Sequence, residues 1–215
     1  MAKDTNVLSN SIGLLDTLNP AVAISAGQGG PGTVQEVDDY AAATAAGLGT
    51  AGSYYRLVRF PTGAIIKSFV FGTDVTVDTS ATASLAFDFN IAFSDSTIDG
   101  TPSNQQALIP TTALAGATTT FAAYSAANKM FGAAIVQPAA NKPWAPTNYL
   151  LTGITSTWTI GLVTQQPLWQ TFGFVAGGGQ NQDPGGRFDM TAYVATIAGT
   201  PALGKLWCKV DYITP

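Results

Sequence analysis

The stretch Ser84-Leu85-Ala86-Phe87-Asp88-Phe89-Asn90-Ile91-Ala92-Phe93 sets Leu85, Phe87, Phe89, Ile91 and Phe93 at every second position, with Ser84, Ala86, Asp88, Asn90 and Ala92 between them. Successive side chains of a β-strand point to opposite faces. The pattern is therefore that of an antiparallel strand with an apolar face on a core and a polar face, carrying Asp88, in water. Working outward, residues 54–60, 64–71 and 73–77 are rich in β-branched and aromatic residues, and Pro61-Thr62-Gly63 supplies the turn between the first two. Downstream, residues 149–154, 156–164, 168–175 and 187–197 carry the same signal, with a Gly-rich loop over 177–186 before the last of them. In the closing stretch Leu206, Cys208, Val210 and Tyr212 share one face, opposite Lys205, Trp207, Lys209 and Asp211. A short helix is expected over 121–130, stopped by Gly132. Roughly eight or nine strands with so little helix predict an all-β fold, an antiparallel two-sheet sandwich of jelly-roll type.

Ahead of this pattern, residues 1–53 lack sustained periodicity and contain Gly27-Gln28-Gly29-Gly30-Pro31-Gly32 and an Ala-rich run over 41–47. Such a segment has too little clustered apolar surface to repay its ordering entropy alone. It reads as an extended N-terminal arm, with Ile12, Leu15, Leu18 and Ile24 as apolar anchors on a partner. The β-sandwich domain is then residues 54–215.

The composition removes several classes of function. The chain has 215 residues with 9 Lys plus Arg against 13 Asp plus Glu, so no basic footprint exists for nucleic acid. Histidine is absent, which removes the commonest general base and the imidazole metal sites. The single cysteine, Cys208, has no second thiol for a disulfide, a CxxC pair or a zinc cage, and on an apolar strand face it reads as a small buried hydrophobe. Polar residues interrupt every apolar run before membrane-spanning length, and the first residues lack a secretory apolar segment. A soluble protein made in the cytoplasm, with no membrane partner and no cofactor, is expected. No charge falls between Asp39 and Arg56, between Asp99 and Lys129, or between Lys142 and Asp183. Neutral surface on that scale suggests coverage by neighbours.

The remaining motifs are weak. Gly27 to Gly32 lacks a preceding buried strand and the Lys-Ser/Thr ending of a phosphate loop, and Pro31 removes a backbone donor, so a flexible hinge is the better reading. Glu36, Asp38 and Asp39 lie together, and Asp74, Asp78 and Asp88 sit on or near strands; paired carboxylates can hydrolyse glycosides, but these read as polar strand faces. The loops at 95–100 and 181–183 hold oxygen ligands without EF-hand spacing, and turn chemistry explains them. Trp144, Trp158, Trp169 and Trp207 are rings that stack on sugar faces or pack in cores. Trp144, between Pro143 and the Ala145-Pro146 pair, is expected on an exposed loop as an interface anchor.

The run Arg56-Leu57-Val58-Arg59-Phe60-Pro61-Thr62-Gly63-Ala64-Ile65-Ile66-Lys67, the alternating strand after it, and the closing segments 185–194 and 204–212 together resemble virion structural proteins of tailed bacteriophages, most of all capsid decoration (cement) proteins. The resemblance covers much of residues 54–215. It implies a structural, non-enzymatic protein on the outer surface of the capsid, assembled in the host cytoplasm, self-associated as a homotrimer and partnered by the major capsid protein. The alternative it leaves open is a tail or head-fibre protein contacting a host receptor or glycan. From a different class, a histidine-free sugar hydrolase would need two working aspartates.

Overall fold

The computed structural model describes residues 7–8, 32–93, 106–109, 120–123, 134–150, 164–171 and 187–215. Within them the chain runs β1 (Val7–Leu8), β2 (Val34–Ala43), a one-turn helix α1 (Ala45–Leu48), β3 (Tyr54–Pro61), β4 (Ile65–Thr73), β5 (Ala86–Phe93), β6 (Gln106–Ile109), β7 (Thr120–Ala123), β8 (Ile135–Val136), β9 (Thr147–Asn148), a second short helix α2 (Leu168–Thr171), β10 (Arg187–Thr196) and β11 (Gly204–Ile213). Two sheets carry the fold, in the orders β1-β3-β10-β5-β8 and β2-β11-β4-β9, and β6 pairs with β7 beside them. All pairings are antiparallel except β1 with β3.

The expected all-β sandwich is present, and alternation explains how it closes. Phe87 and Phe89 of β5 meet Phe69 and Phe71 of β4 across the sandwich, with ring centroids 5.0 Å apart for Phe69–Phe89 and 4.8 Å for Phe71–Phe89, in edge-on contact. At the other end Phe60 of β3 and Tyr212 of β11 stand 6.3 Å apart. Leu206, Cys208, Val210 and Tyr212 are all buried on the inner face of β11, as the alternation predicted. One continuous cluster of buried side chains joins both sheets.

Several local expectations are corrected. Residues 34–48 do not belong to an arm: β2 pairs with β11 from Val34↔Ile213 to Gly204↔Ala43, and Ala41, Ala43 and Leu48 are core residues. Thr44 caps α1 by accepting from the Gly47 N–H at 2.9 Å, and Ser53 donates to the Gly47 carbonyl, so the Ala-rich run is tied into the domain. Val7 packs on the core from the β3 edge. The strand expected at 73–77 is a loop beyond Thr73, and residues 168–171 of the expected 168–175 strand form α2. The helix expected at 121–130 begins instead as β7. Asp88 and Asn90, expected in solvent, are buried, so sheet one is covered on both faces.

Candidate functional site

Loops gathered at one end of the sandwich, where β4 leaves and β5, β10 and β11 begin or end, form a densely hydrogen-bonded surface. Asp78 is the centre. Its carboxylate is fully buried. Oδ1 accepts from the Ser80 and Thr200 N–H groups at 3.1 and 3.2 Å, and from the Ser80 hydroxyl at 2.6 Å. Oδ2 accepts from the N–H groups of Ser84, Leu85 and Gly199 at 3.1, 3.2 and 3.3 Å. Burial pushes the Asp78 carboxyl up, but these hydrogen bonds to its charged form outweigh burial and hold it well below the usual carboxylate range.

The side chain thereby ties together residues 78–85 and 197–201. The Thr79 N–H donates to the Thr200 carbonyl at 2.9 Å and the Ala202 N–H to the Val77 carbonyl at 2.9 Å. Gln137 joins from the β8 side, its N–H on the Leu85 carbonyl at 2.9 Å. A side chain at Gly204 would meet Val77 Cγ1 at 2.7 Å and Val75 Cγ2 at 2.9 Å, so glycine is needed for the loops to close. On the outside of this pinned framework stand Val75, Val136, Ile197 and Leu203, with 42%, 52%, 43% and 75% of their surface in solvent. The Asp78-gathered loops between them are Thr, Ser, Ala, Gly and Pro. The end is densely hydrogen-bonded and studded with apolar side chains, with exposed Asp74 and Lys205 beside Val75 and Leu203.

The expected site residues fall elsewhere. Trp144 is fully buried, a correction to its reading as an exposed anchor. Its ring lies 5.1 Å from Phe71 and 5.8 Å from Phe87, and its indole N–H donates to the Tyr149 hydroxyl at 2.6 Å. Flanking prolines shape the loop, but the indole turns inward because only the core offers both the rings and the acceptor. Ile12, Leu15, Leu18 and Ile24 lie outside the described residues, as do the loops at 95–100 and 181–183 and Trp158.

Several of the described carboxylates are engaged in holding structure. Asp78 is occupied as above, and Asp74 accepts from the Lys205 N–H at 2.7 Å. Glu36 pairs with Lys209 at 2.5 Å on the exposed sheet face. Asp189, which sequence reasoning passed over, sits on the outer face of the first sheet between Arg56 Nη1 at 2.9 Å and Arg59 Nε at 2.7 Å. The register places Asp189 opposite Arg59, with Arg56 two rungs along after a shift at Leu57. Tyr54, next on that face, has its hydroxyl pushed up to about 12 by burial, with the Arg56 charge opposing. Burial likewise raises the Cys208 thiol, reinforced by the nearby Asp39 charge, so it is no nucleophile at neutral pH. Among the described residues no cluster of three or more Cys, Asp or Glu is placed to hold a metal, and no helix is long and apolar enough to cross a membrane.

No protein-family model matches the chain, and no curated protein matches it. Two solved structures are similar to it. "Capsid of Ralstonia phage GP4" aligns at 13% identity and TM-score 0.49, over 86% of this chain and 87% of that one. "Cyanophage Pam1 capsid asymmetric unit" aligns at 18% identity and TM-score 0.39, over 93% and 98%. Both come from phage capsids, and at these values neither fixes a residue correspondence or a role.

Proposed function

We propose that this chain is a phage capsid decoration, or cement, protein that docks on the outer head lattice through its Asp78-pinned loop end. The observation that carries the reading is that four of the five exposed large apolar side chains among the described residues, Val75, Val136, Ile197 and Leu203, surround loops tied together by one buried carboxylate. Loops already tied down lose less entropy on docking, and apolar anchors among small residues are the composition of an interface core. The partner is the major capsid protein, the chain self-associates as a homotrimer, and its place is the outer surface of a virion assembled in the host cytoplasm. The sequence resemblance to decoration proteins supports these finer points.

The strand order supports the jelly-roll reading. With β2, β3, β4, β5, β8, β9, β10 and β11 as the eight strands, the sheets run first-eighth-third-sixth and second-seventh-fourth-fifth, the order made by two interlocked Greek keys. A non-enzymatic role is supported by the aspartates, since Asp78 and Asp189 are both engaged in holding structure. A tail or head-fibre position is the competing reading, and the number and symmetry of copies in the particle separate the two.

The test uses the double variant Val75→Asp, Leu203→Asp in the full chain. Both side chains are exposed, so circular dichroism should be unchanged, while co-sedimentation with capsid shells lacking the protein should be lost. Undiminished binding by the folded variant overturns the assignment of the docking end.

A further inference from the structure

The outer face of the second sheet carries an arrangement outside the four apolar side chains proposed to dock. Tyr40 of β2, Trp207 of β11 and Gly72 of β4 form one cross-strand row, because Trp207 is paired with both. Trp207 and Tyr40 point away from the sandwich, opposite to buried Leu206 and Cys208, and both are half-buried. Lys205 Nζ lies 4.3 Å from the centre of the Tyr40 ring, fixing that ring from one side. On the other side of Trp207 a side chain at Gly72 would meet the Trp144 carbonyl at 2.9 Å and the Pro146 nitrogen at 3.1 Å. The segment bearing exposed Pro146 therefore crosses this face and walls the row.

The next rungs are polar. Lys209 pairs with Glu36 at 2.5 Å, and Asp211 accepts from the Ser68 hydroxyl at 2.5 Å. Two rungs of an antiparallel strand are roughly 7 Å apart, so aromatic surface lies directly beside ion-paired oxygens and an ammonium.

We propose that the Tyr40–Trp207 row is a stacking platform for a neutral pyranose chain. The C–H face of a sugar ring is apolar and matches flat aromatic surface, while its hydroxyls donate to carboxylates and accept from ammonium groups. Tyr and Trp present large area with two side-chain torsions to fix, so the platform is pre-organised. The charge on the face, with Glu36, Asp38 and Asp211 against Lys205 and Lys209, disfavours nucleic acids and anionic sugars. The site is on the sheet face bordering the Asp78 end, where the Lys205 N–H donates to Asp74 at 2.7 Å, and its existence does not depend on the capsid reading.

Isothermal titration of the full chain with maltohexaose, cellohexaose, chitohexaose and mannohexaose tests it. At least one should bind with a Kd at or below about 1 mM. Trp207→Ala and Tyr40→Ala should each weaken that binding at least about tenfold, and Trp207→Phe less, with circular dichroism unchanged. Should Trp207→Ala fail to fold, the exposed Glu36→Gln replaces it and should also weaken binding. No binding by any of the four sugars overturns the proposal, as does binding that survives the folded variants. A change of oligomeric state in Trp207→Ala without sugar binding also overturns it and makes the face a contact between copies.

Discussion

Replacing Asp78 by Ala strips the acceptor from the N–H groups of Ser80, Ser84, Leu85, Gly199 and Thr200 at once. A buried donor left without a partner costs about 1–3 kcal/mol, so even partial hydration leaves a loss of about 3 kcal/mol or more, measurable as a lower urea midpoint. The pH dependence has a definite sign. An unfolded aspartate titrates near about 3.9, and Asp78 titrates lower in the folded chain, so its contribution is complete above the unfolded value and disappears as pH falls through the folded one. Asp78→Asn should flatten that acid limb of the stability profile. Trp144 makes the same point about residue identity: one indole fills the space between Phe71 and Phe87 and donates to Tyr149, a combination of volume and donor that no other side chain supplies.

β2 is the element on which the domain boundary turns. It pairs with β11 along ten residues and contributes Ala41 and Ala43 to the core, although its own sequence reads as a polar run ending in alanines. Removing residues 1–31 leaves it in place, and that truncation should give a folded protein by circular dichroism and gel filtration. Removing residues 1–53 takes β2 and α1 away and opens the backbone edge of β11, so that form should aggregate. A soluble, cooperatively unfolding 54–215 fragment would show that β2 is dispensable. The reverse face of β5 teaches a related lesson. Alternation located Asp88 and Asn90 opposite the phenylalanines correctly, but on a sheet covered on both faces the buried polar groups bond the backbone: the Thr191 hydroxyl donates to the Asn90 backbone carbonyl at 3.0 Å and Asn90 Oδ1 accepts from the Ile91 N–H at 2.8 Å.

Across the whole molecule, charge is sparse, and much of it is consumed in pairs: Arg56 and Arg59 with Asp189, and Lys209 with Glu36. The loop end proposed to dock carries, besides the buried Asp78, one exposed carboxylate, Asp74, beside the exposed Lys205, so its net exposed charge is balanced. Binding to capsid shells should therefore change less than about threefold between 50 mM and 500 mM salt at roughly constant temperature, because screening acts on net exposed charge. A steep salt dependence in sedimentation would move the docking surface to the charged face of the second sheet.

The sequence alone determined the class of fold, because strand periodicity is local: β3, β4, β5 and β11 announce themselves in runs of about ten residues or fewer. It also removed histidine chemistry and a nucleic-acid footprint by composition. Tertiary structure alone decided what depends on distant partners. Val34 becomes a strand residue through Ile213, Trp144 becomes core through Phe71 and Phe87, and Asp78 becomes a structural anion through N–H groups contributed by residues 199 and 200. The same holds for the pairing of Tyr40 with Trp207. No local pattern encodes a contact whose two halves lie at opposite ends of the chain; it exists only once the two sheets have closed on their common core.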